Sequence, residues 1–200
     1  MAETIRIFLD ITLSGFDGAI IDCFHNLSKF GSFFTPFFIL ISAFGEKGYF
    51  FIVLSIILML FKKSRKLGFT MLLSLGIGAL FTNVILKNFV QRIRPFNANE
   101  KYYEYWTRIK KPFIDGYSFP SGHTTATTAC LTTIFILTNK KYSYLCFIGV
   151  ILMGVSRVYL LAHYPTDVIG GIIVGGTASL IATYLVDLFY KSIYKRKPKS

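Results

Sequence analysis

The sequence predicts an all-α integral membrane protein with six transmembrane helices and an N-terminal amphipathic helix. Of its 200 residues, 53% are hydrophobic and only 16% are charged, and the apolar residues fall in long runs. Soluble domains usually carry about 25% charged residues, so this composition argues against a soluble globule and against disorder. The formal net charge of +12 would suggest nucleic acid in a soluble chain, but in a membrane chain it predicts basic loops and an anionic partner.

Residues 1–27 predict an amphipathic helix that lies in the membrane interface. Ile5, Phe8 and Phe16 share one face at helical spacing, whereas Glu3 and Asp10 share the other. The acidic residues interrupt any smooth apolar core and no basic segment precedes it, so this is not a signal peptide. The alternative is a frayed terminus.

One membrane domain, residues 28–190, is expected to follow. A spanning helix needs about 20 mostly apolar residues. Stretches of this kind lie near 28–45, 48–61, 67–87, 120–138, 142–161 and 165–189. The first contains Pro36 and the second is short. An outer loop, 88–119, separates the third span from the fourth, and a basic tail, 191–200, follows the last.

The basic residues predict the orientation of these six spans. The loops at 62–66 and 140–141, together with the tail, hold eleven basic residues. The opposite side holds Lys47, seven basic residues from Lys87 to Lys111, and Arg157. Because cytoplasmic segments are enriched in Lys and Arg, both termini are expected in the cytoplasm and the protein in the cell membrane.

Span parity brings the residues with chemical potential to the non-cytoplasmic side. They are Lys87, Arg94, residues 120–123, Arg157, His163 and Asp167. Charged and titratable residues at a membrane face indicate a functional site. For any one of the cations, snorkelling towards the interface is the alternative.

Two of these segments look like the starts of helices. Ser121 suits an N-cap and Gly122 lets a ligand approach the backbone, which suits an anion, although Ser-Gly pairs also form simple turns. His163 and Asp167 stand four residues apart and therefore share a helix face. A carboxylate there can fix the imidazole tautomer, or Asp167 can simply cap the helix.

Three motifs stand in order across the chain: Lys87-x6-Arg94-Pro95, Pro120-Ser121-Gly122-His123 and Ser156-Arg157-x5-His163-x3-Asp167. Together they resemble the tripartite signature of the type 2 phosphatidic acid phosphatase family, the lipid phosphate phosphatases, which are related to vanadium haloperoxidases. All three match without departure. The resemblance implies a six-helix membrane fold.

The resemblance also implies the residue roles. His163 is the expected nucleophile that forms a phosphohistidine, and Asp167 orients it. His123 is the expected general acid, and opposite protonation needs of the two histidines predict a bell-shaped pH profile. Five further residues are expected to hold the phosphoryl oxygens: Lys87, Arg94, Ser121, Gly122 and Arg157. Neither a metal nor another cofactor is expected.

The expected function is hydrolysis of a lipid phosphate or diphosphate at the outer membrane face, with a phosphorylated lipid and membrane lipids as partners. Polyprenyl diphosphates such as undecaprenyl diphosphate, phosphatidylglycerophosphate and phosphatidate fit. A phosphotransferase using the same site and a non-catalytic lipid-phosphate transporter or binding protein are the alternatives. The sequence predicts no nucleic-acid partner and leaves the oligomeric state open.

Several other features lie outside the three motifs. The aromatic residues of 96–119 indicate either a lid or an interfacial anchor. Gly171 and Gly175 form a small-xxx-small pair that permits close helix packing. His25 is expected to have no role, and the three widely spaced cysteines predict neither a disulfide framework nor a zinc site.

Overall fold

The computed structural model describes residues 2–28, 31–98, 100–109, 114–138 and 140–195, and all regular elements in these ranges are helical. The helices longer than one turn are α1 (Ala2–Ile7), α2 (Ser14–Ser28), α3 (Gly31–Phe44), α4 (Tyr49–Leu60), α5 (Arg65–Ala79), α6 (Glu100–Ile109), α7 (Gly122–Leu137), α8 (Leu145–Tyr159) and α9 (Pro165–Lys195). Single helical turns lie at Pro95–Ala98 and Lys140–Ser143. A π-helical turn, Phe8–Thr12, follows α1, and a second, Leu80–Leu86, prolongs α5 into Lys87–Val90. Residues 196–200 of the predicted tail lie outside the described ranges.

Four stretches of the described chain are long and apolar enough to cross a membrane. They are Phe33–Leu60, Arg65–Ala98, Lys141–Tyr159 and Pro165–Ser192. Helix α7, with 16 residues, is shorter, but it packs against α5, α8 and α9. The all-helical membrane class is therefore confirmed, whereas the count of six spans is not.

The first two predicted spans, 28–45 and 48–61, form one interrupted helix instead of two opposed ones. In α3, Thr35 is hydrogen-bonded to Tyr159 and Gly45 lies against Met153, so α3 runs antiparallel to α8. Helix α4 runs antiparallel to α5, because Gly48 approaches Leu75 while Met59, eleven residues later, approaches Gly68.

Helices α5 and α8 both run towards the end of the bundle that holds Lys87 and Arg157, so α3 and α4 run in the same direction, away from it. The break between them is a short 3-10 turn in which Lys47 (φ 46°) and Gly48 (φ 71°) are left-handed. With α5, α7, α8 and α9, the α3–α4 pair gives five segments along the bundle in the described residues.

This arrangement places the N-terminal helices beside the start of α9. The Asp17 carboxylate of α2 accepts a hydrogen bond from the Thr166 amide at 2.9 Å. At the opposite end of the bundle, Asp187 of α9 pairs with Lys66. The described N-terminal segment and the described end of α9 thus lie at opposite ends of the bundle, and the location of both termini in the cytoplasm is not confirmed.

Helices α7 and α9 form the centre of the bundle. Gly171 and Gly175 of α9 face α7 of the same chain, where an added Cβ would lie 2.7 Å from the Ser121 carbonyl oxygen and 2.5 Å from that of Thr125. Contact between backbones this close needs glycine. The small-xxx-small pair therefore joins two helices of one molecule and fixes where α7 begins.

Candidate active site

A cavity of about 640 Å³ opens at the end of the bundle where α5, α8 and the start of α7 meet. One wall carries most of the charged and titratable side chains of the lining: Lys87, Arg94, Asp115, His123, Arg157 and His163. Lys47 also lines the cavity, from the break between α3 and α4. The other wall is apolar and consists of α4 and α5 side chains: Ile52, Leu72, Leu75 and Ala79. Six of the eight predicted site residues therefore line one cavity, while Ser121 and Asp167 are buried and do not line it, and the cavity has a cationic side and a hydrocarbon side.

His163 lies in the turn between α8 and α9, with only 2% of its surface exposed. Its Nδ1 is 3.6 Å from Asp167 Oδ2 and 3.5 Å from Ser118 Oγ. Asp167 itself accepts hydrogen bonds from the Ser118 hydroxyl and from the Tyr164 amide. The buried carboxylate is therefore fixed on the Nδ1 side of the ring, which leaves Nε2 for the cavity.

Arg94 holds the other side of the His163 ring. Its Nη1 lies 3.4 Å from His163 Nε2 and donates to the Ala162 carbonyl at 2.8 Å. Its Nε donates to the Gly116 carbonyl at 2.9 Å. These carbonyl contacts hold the guanidinium rigidly while it faces the cavity, as anion binding requires.

Arg157 enters the cavity from the end of α8 and is 97% buried. Its Nη1 donates to the Ser42 hydroxyl of α3, whereas its Nε has no hydrogen-bond partner. A buried guanidinium N–H without a partner costs free energy unless an anion binds there. Arg157 is thus arranged to receive an anionic group.

The start of α7 forms the third part of the cationic wall. Ser121 caps the helix as predicted, because its hydroxyl accepts a hydrogen bond from the Thr124 amide. A Cβ placed on Gly122 would lie 3.9 Å from Lys87 Nζ and 3.6 Å from Asn83 Oδ1. The first amides of α7 and the Lys87 ammonium therefore border one space, which suits a phosphate group.

His123 projects into the same cavity from the first turn of α7. Its Nε2 lies 3.3 Å from Oε2 of Glu46, which stands in the break between α3 and α4. Most of the charges around this ring are positive, so Glu46 is the carboxylate that favours the imidazolium form.

Burial lowers the pKa of His163 well below its usual value, and the cations Arg94, Arg157 and Lys87 lower it further. A lowered histidine pKa favours the neutral ring at neutral pH. His163 Nε2, which faces the cavity, therefore has a free lone pair.

The PAP2 superfamily model matches residues 65–191, well over half of the chain. The chain belongs to the PAP2 superfamily. The family and the phosphatase class that the three motifs predict are confirmed. The model begins at α5, so α1 to α4 lie outside the matched segment.

Two curated PAP2 relatives cover most of the chain. The undecaprenyl-diphosphatase of Sulfolobus acidocaldarius is 30% identical over 147 residues, which are 74% of this chain and 68% of that protein. The undecaprenyl-diphosphatase BcrC of Bacillus subtilis is 31% identical over 159 residues, which are 78% of this chain and 76% of that protein.

Among solved PAP2 structures, the transmembrane PAP2 type phosphatidylglycerolphosphate phosphatase from Bacillus subtilis has the same fold. It matches with a TM-score of 0.67 at 22% identity, and the match covers 100% of both chains. The crystal structure of LpxE from Aquifex aeolicus gives a TM-score of 0.62 at 24% identity, over 74% of this chain and 84% of that one.

The sequence does not predict four residues that contact this PAP2 site: Asp17, Glu46, Arg92 and Ser118. In the sequence, Arg92 is one of seven basic residues from Lys87 to Lys111, and Glu46 lies between the two predicted spans 28–45 and 48–61. One signal was available for Arg92, since it lies inside the Lys87-x6-Arg94 motif. The other three are joined to the site by contacts between distant parts of the chain.

The aromatic segment 96–119 lies beside the cavity, and none of its described aromatic residues lines it. Phe96 stacks on Trp106 at 4.9 Å, and Tyr103 lies 5.9 Å from the same indole. His25 of α2 stacks on Tyr105 of this segment. Phe113 lies outside the described residues. The contacts favour an anchor between α2 and α6, and a lid role is not tested by them.

Proposed function

We propose that this PAP2 protein is an integral membrane phosphatase that hydrolyses a lipid phosphate or diphosphate through a phosphohistidine. The observation that carries the proposal is the two-sided cavity: four cations and two histidines line the same space as a hydrocarbon wall. A phosphorylated lipid has this same division between an anionic head and an apolar chain. Phosphoryl transfer is mainly positioning and stabilisation of spread negative charge, which fixed cations supply.

His163 is the proposed nucleophile. Its Nε2 lone pair attacks phosphorus, a P–N bond forms and the bond from phosphorus to the leaving oxygen breaks. The proton stays on Nδ1, where the Asp167 carboxylate stabilises the developing positive charge of the ring. Asp167 therefore orients the ring and stabilises its charge, and His163 bonds to phosphorus.

His123 is the proposed general acid. It donates its proton to the leaving oxygen and then accepts a proton from the water that cleaves the P–N bond, which releases phosphate and restores His163. Lys87, Arg94 and Arg157, with Ser121 and the Gly122 amide, stabilise the phosphoryl oxygens through both steps.

A lipid whose phosphate or diphosphate lies at the membrane surface is the proposed substrate class. The curated relatives named undecaprenyl-diphosphatase support polyprenyl diphosphates, and the apolar wall of α4 and α5 supports any long chain. Eight basic residues of the described chain, in 62–66, 140–141 and 191–195, belong to segments at the bundle end away from the cavity. By the positive-inside rule the cavity then opens on the extracytoplasmic side.

The proposed function is tested with detergent-purified protein and a panel of undecaprenyl diphosphate, phosphatidylglycerophosphate and phosphatidate, in buffer that contains EDTA. We expect phosphate release from at least one lipid by the wild type and none by His163→Ala. Release by neither protein, or equal release by both, contradicts the proposal. Lipid alcohols added as acceptors separate a phosphatase from a phosphotransferase, since only the latter makes a new phosphoester.

Glu46→Gln is expected to move the basic limb of the kcat/KM profile to lower pH. The Glu46 carboxylate stabilises the protonated form of His123, so the amide loses the general acid at a lower pH. The acidic limb should stay where it is. Glu104→Gln is the matched control, because Glu104 is exposed and pairs with Arg108 within α6. An unmoved basic limb in Glu46→Gln contradicts the assigned role.

A further inference from the structure

Arg92 is the most heavily bonded buried cation in the described part of the chain, and no step proposed above uses it. Only 1% of its surface is exposed. Its Nη1 donates to Asp167 Oδ1 at 2.7 Å and to Thr166 Oγ1 at 2.6 Å. Its guanidinium also lies 3.9 Å from the centre of the Tyr164 ring. Arg92 therefore contacts Tyr164, which follows His163, and Thr166 and Asp167 in the first turn of α9.

The other two nitrogens of Arg92 bind the N-terminal segment. Nη2 donates to Asp17 Oδ2 at 2.8 Å, and Nε donates to Asp10 Oδ1 at 2.8 Å. One guanidinium is thus shared by three carboxylates, of which Asp167 belongs to the site and two belong to α2 and the turn before it.

Asp17 is fully bonded as well. Its Oδ1 accepts from the Thr166 amide at 2.9 Å and its Oδ2 from the Thr166 hydroxyl at 2.7 Å. The first turn of α9, which presents Asp167, is therefore held directly by α2. With the Arg92 guanidinium, three charged or polar donors bind the buried Asp17 carboxylate, and the disruption of such an arrangement is costly.

We propose that Arg92 and Asp17 are positioning residues that together set the orientation and the charge of the Asp167–His163 pair, so that helix α2 completes the active site. This inference rests on the proposed role of His163. Both residues act through Asp167 and neither lines the cavity. Asp17 lies outside the segment that the PAP2 model matches, so α2 supplies a part of the site that the matched segment lacks.

The proposal gives opposite signs for the two residues. Removal of the Arg92 charge leaves Asp167 and Asp17 uncompensated, which favours the imidazolium form of His163. Removal of the Asp17 charge leaves Arg92 paired with only two carboxylates, those of Asp167 and Asp10. The positive charge near His163 is then less compensated, which disfavours its imidazolium form. Loosened packing alone has no reason to produce opposite signs.

The other charges around His163 are unchanged in these variants. They are Arg94 beside its Nε2, Lys87 of α5, Arg157 of α8 and His123 of α7, with the Ser118 hydroxyl on the Nδ1 side. A difference between the variants in the acidic limb of the pH–rate profile therefore reports the effect of Arg92 and Asp17 on His163. Since neutral His163 is the nucleophile, its protonation sets the acidic limb of the rate profile.

The experiment compares Arg92→Gln, Arg92→Lys, Asp17→Asn and the matched control Asp22→Asn. Asp22 lies on the same helix, is about half exposed and pairs with Lys101 outside the site. We measure kcat, KM and the pH profile on a lipid phosphate that the wild type hydrolyses, together with the melting temperature in detergent.

We expect kcat to fall about 10- to 100-fold in Arg92→Gln and less in Asp17→Asn, with little change in KM, as for other residues that orient catalytic groups. The acidic limb should move up by roughly half a pH unit or more in Arg92→Gln and down in Asp17→Asn. Arg92→Lys keeps the charge and should keep the wild-type limb despite a lower kcat. Asp22→Asn should match the wild type.

A second readout does not need turnover. The chain has only three histidines, so the imidazole nitrogens of His163 can be assigned by NMR with His25→Gln and His123→Gln as references. We expect the Nδ1–H tautomer at neutral pH in the wild type, Asp22→Asn and Arg92→Lys, and its partial loss in Arg92→Gln.

The inference is overturned if Arg92→Gln changes neither the His163 tautomer nor the limbs of the pH–rate profile. It is also overturned if the limbs move in the same direction in all variants and the melting temperature falls. That second result would mean that Arg92 only stabilises the packing of α2. Failure of the wild type to release phosphate from any lipid would instead contradict the proposed function, while the tautomer measurement would still decide the role of Arg92.

Discussion

His163→Asn is expected to reduce phosphate release by about 10⁴-fold or more, because the substitution removes the atom that would bond to phosphorus. Other contacts in the cavity remain, so the KM or the affinity for inorganic phosphate should change far less than kcat. The chain contains one other histidine in the cavity, His123, but its nitrogen faces Glu46 and it lacks the Asp167 partner.

The intermediate itself is the sharper measurement. Wild-type protein that turns over a ³²P-labelled lipid and is quenched in alkali should carry label that acid removes, as expected of a P–N bond. His163→Asn should carry none, and His25→Asn is the matched control because His25 stacks on Tyr105 away from the cavity. Label on His163→Asn, or wild-type turnover without label under rapid quench, would contradict a phosphohistidine on His163.

The sequence was sufficient for the parts of the site that lie at helix ends. Span parity predicts Lys87, His123 and His163 at one end of the bundle, and in the structure they line one cavity. Span boundaries were close as well, with 120–138 predicted and Gly122–Leu137 observed. Local signals such as an N-cap, a proline in a first turn and apolar length determine these features.

The sequence was insufficient where charged residues do not mark the end of a membrane span. Glu46 and Lys47 looked like a hairpin between two spans, because charged pairs normally mark the end of a span. In the structure they interrupt a helix that continues in one direction, and Glu46 contacts His123 instead of leading into a return span. The predicted count of six spans depends on a reversal of direction at this break, and the structure does not confirm that count.

Contacts across long sequence distances were also beyond reach. Asp17 and Thr166 are 149 residues apart, and Arg92 and Asp167 are 75 apart. Nothing in the local pattern of either segment indicates its partner, since an acidic residue on an amphipathic helix usually faces water. The buried position of Asp17 depends on how α2 packs against α9, which only the folded chain determines.

Gly171→Ala is expected to impair both stability and phosphate binding. A Cβ at this position would lie 2.7 Å from the Ser121 carbonyl oxygen and 3.0 Å from Thr124 Cβ, so α7 must move away from α9. Overpacking of this kind costs about 1–3 kcal/mol, which for a chain of this size lowers the melting temperature by roughly 2–12 °C. The displaced segment is the first turn of α7, and it carries the Gly122 amide and His123.

Two further glycines of α9 separate these effects. Gly175→Ala meets the Thr125 carbonyl oxygen at 2.5 Å, one turn deeper in the bundle, and should lower the melting temperature with less effect on KM. Gly176→Ala meets no atom within 4 Å and should leave the melting temperature equal or higher, because alanine favours helix by about 1 kcal/mol over glycine. Thermal unfolding in detergent and KM for the lipid phosphate measure both properties. If Gly171→Ala matched Gly176→Ala, the close contact of α9 with the start of α7 would not be what positions the phosphate-binding turn.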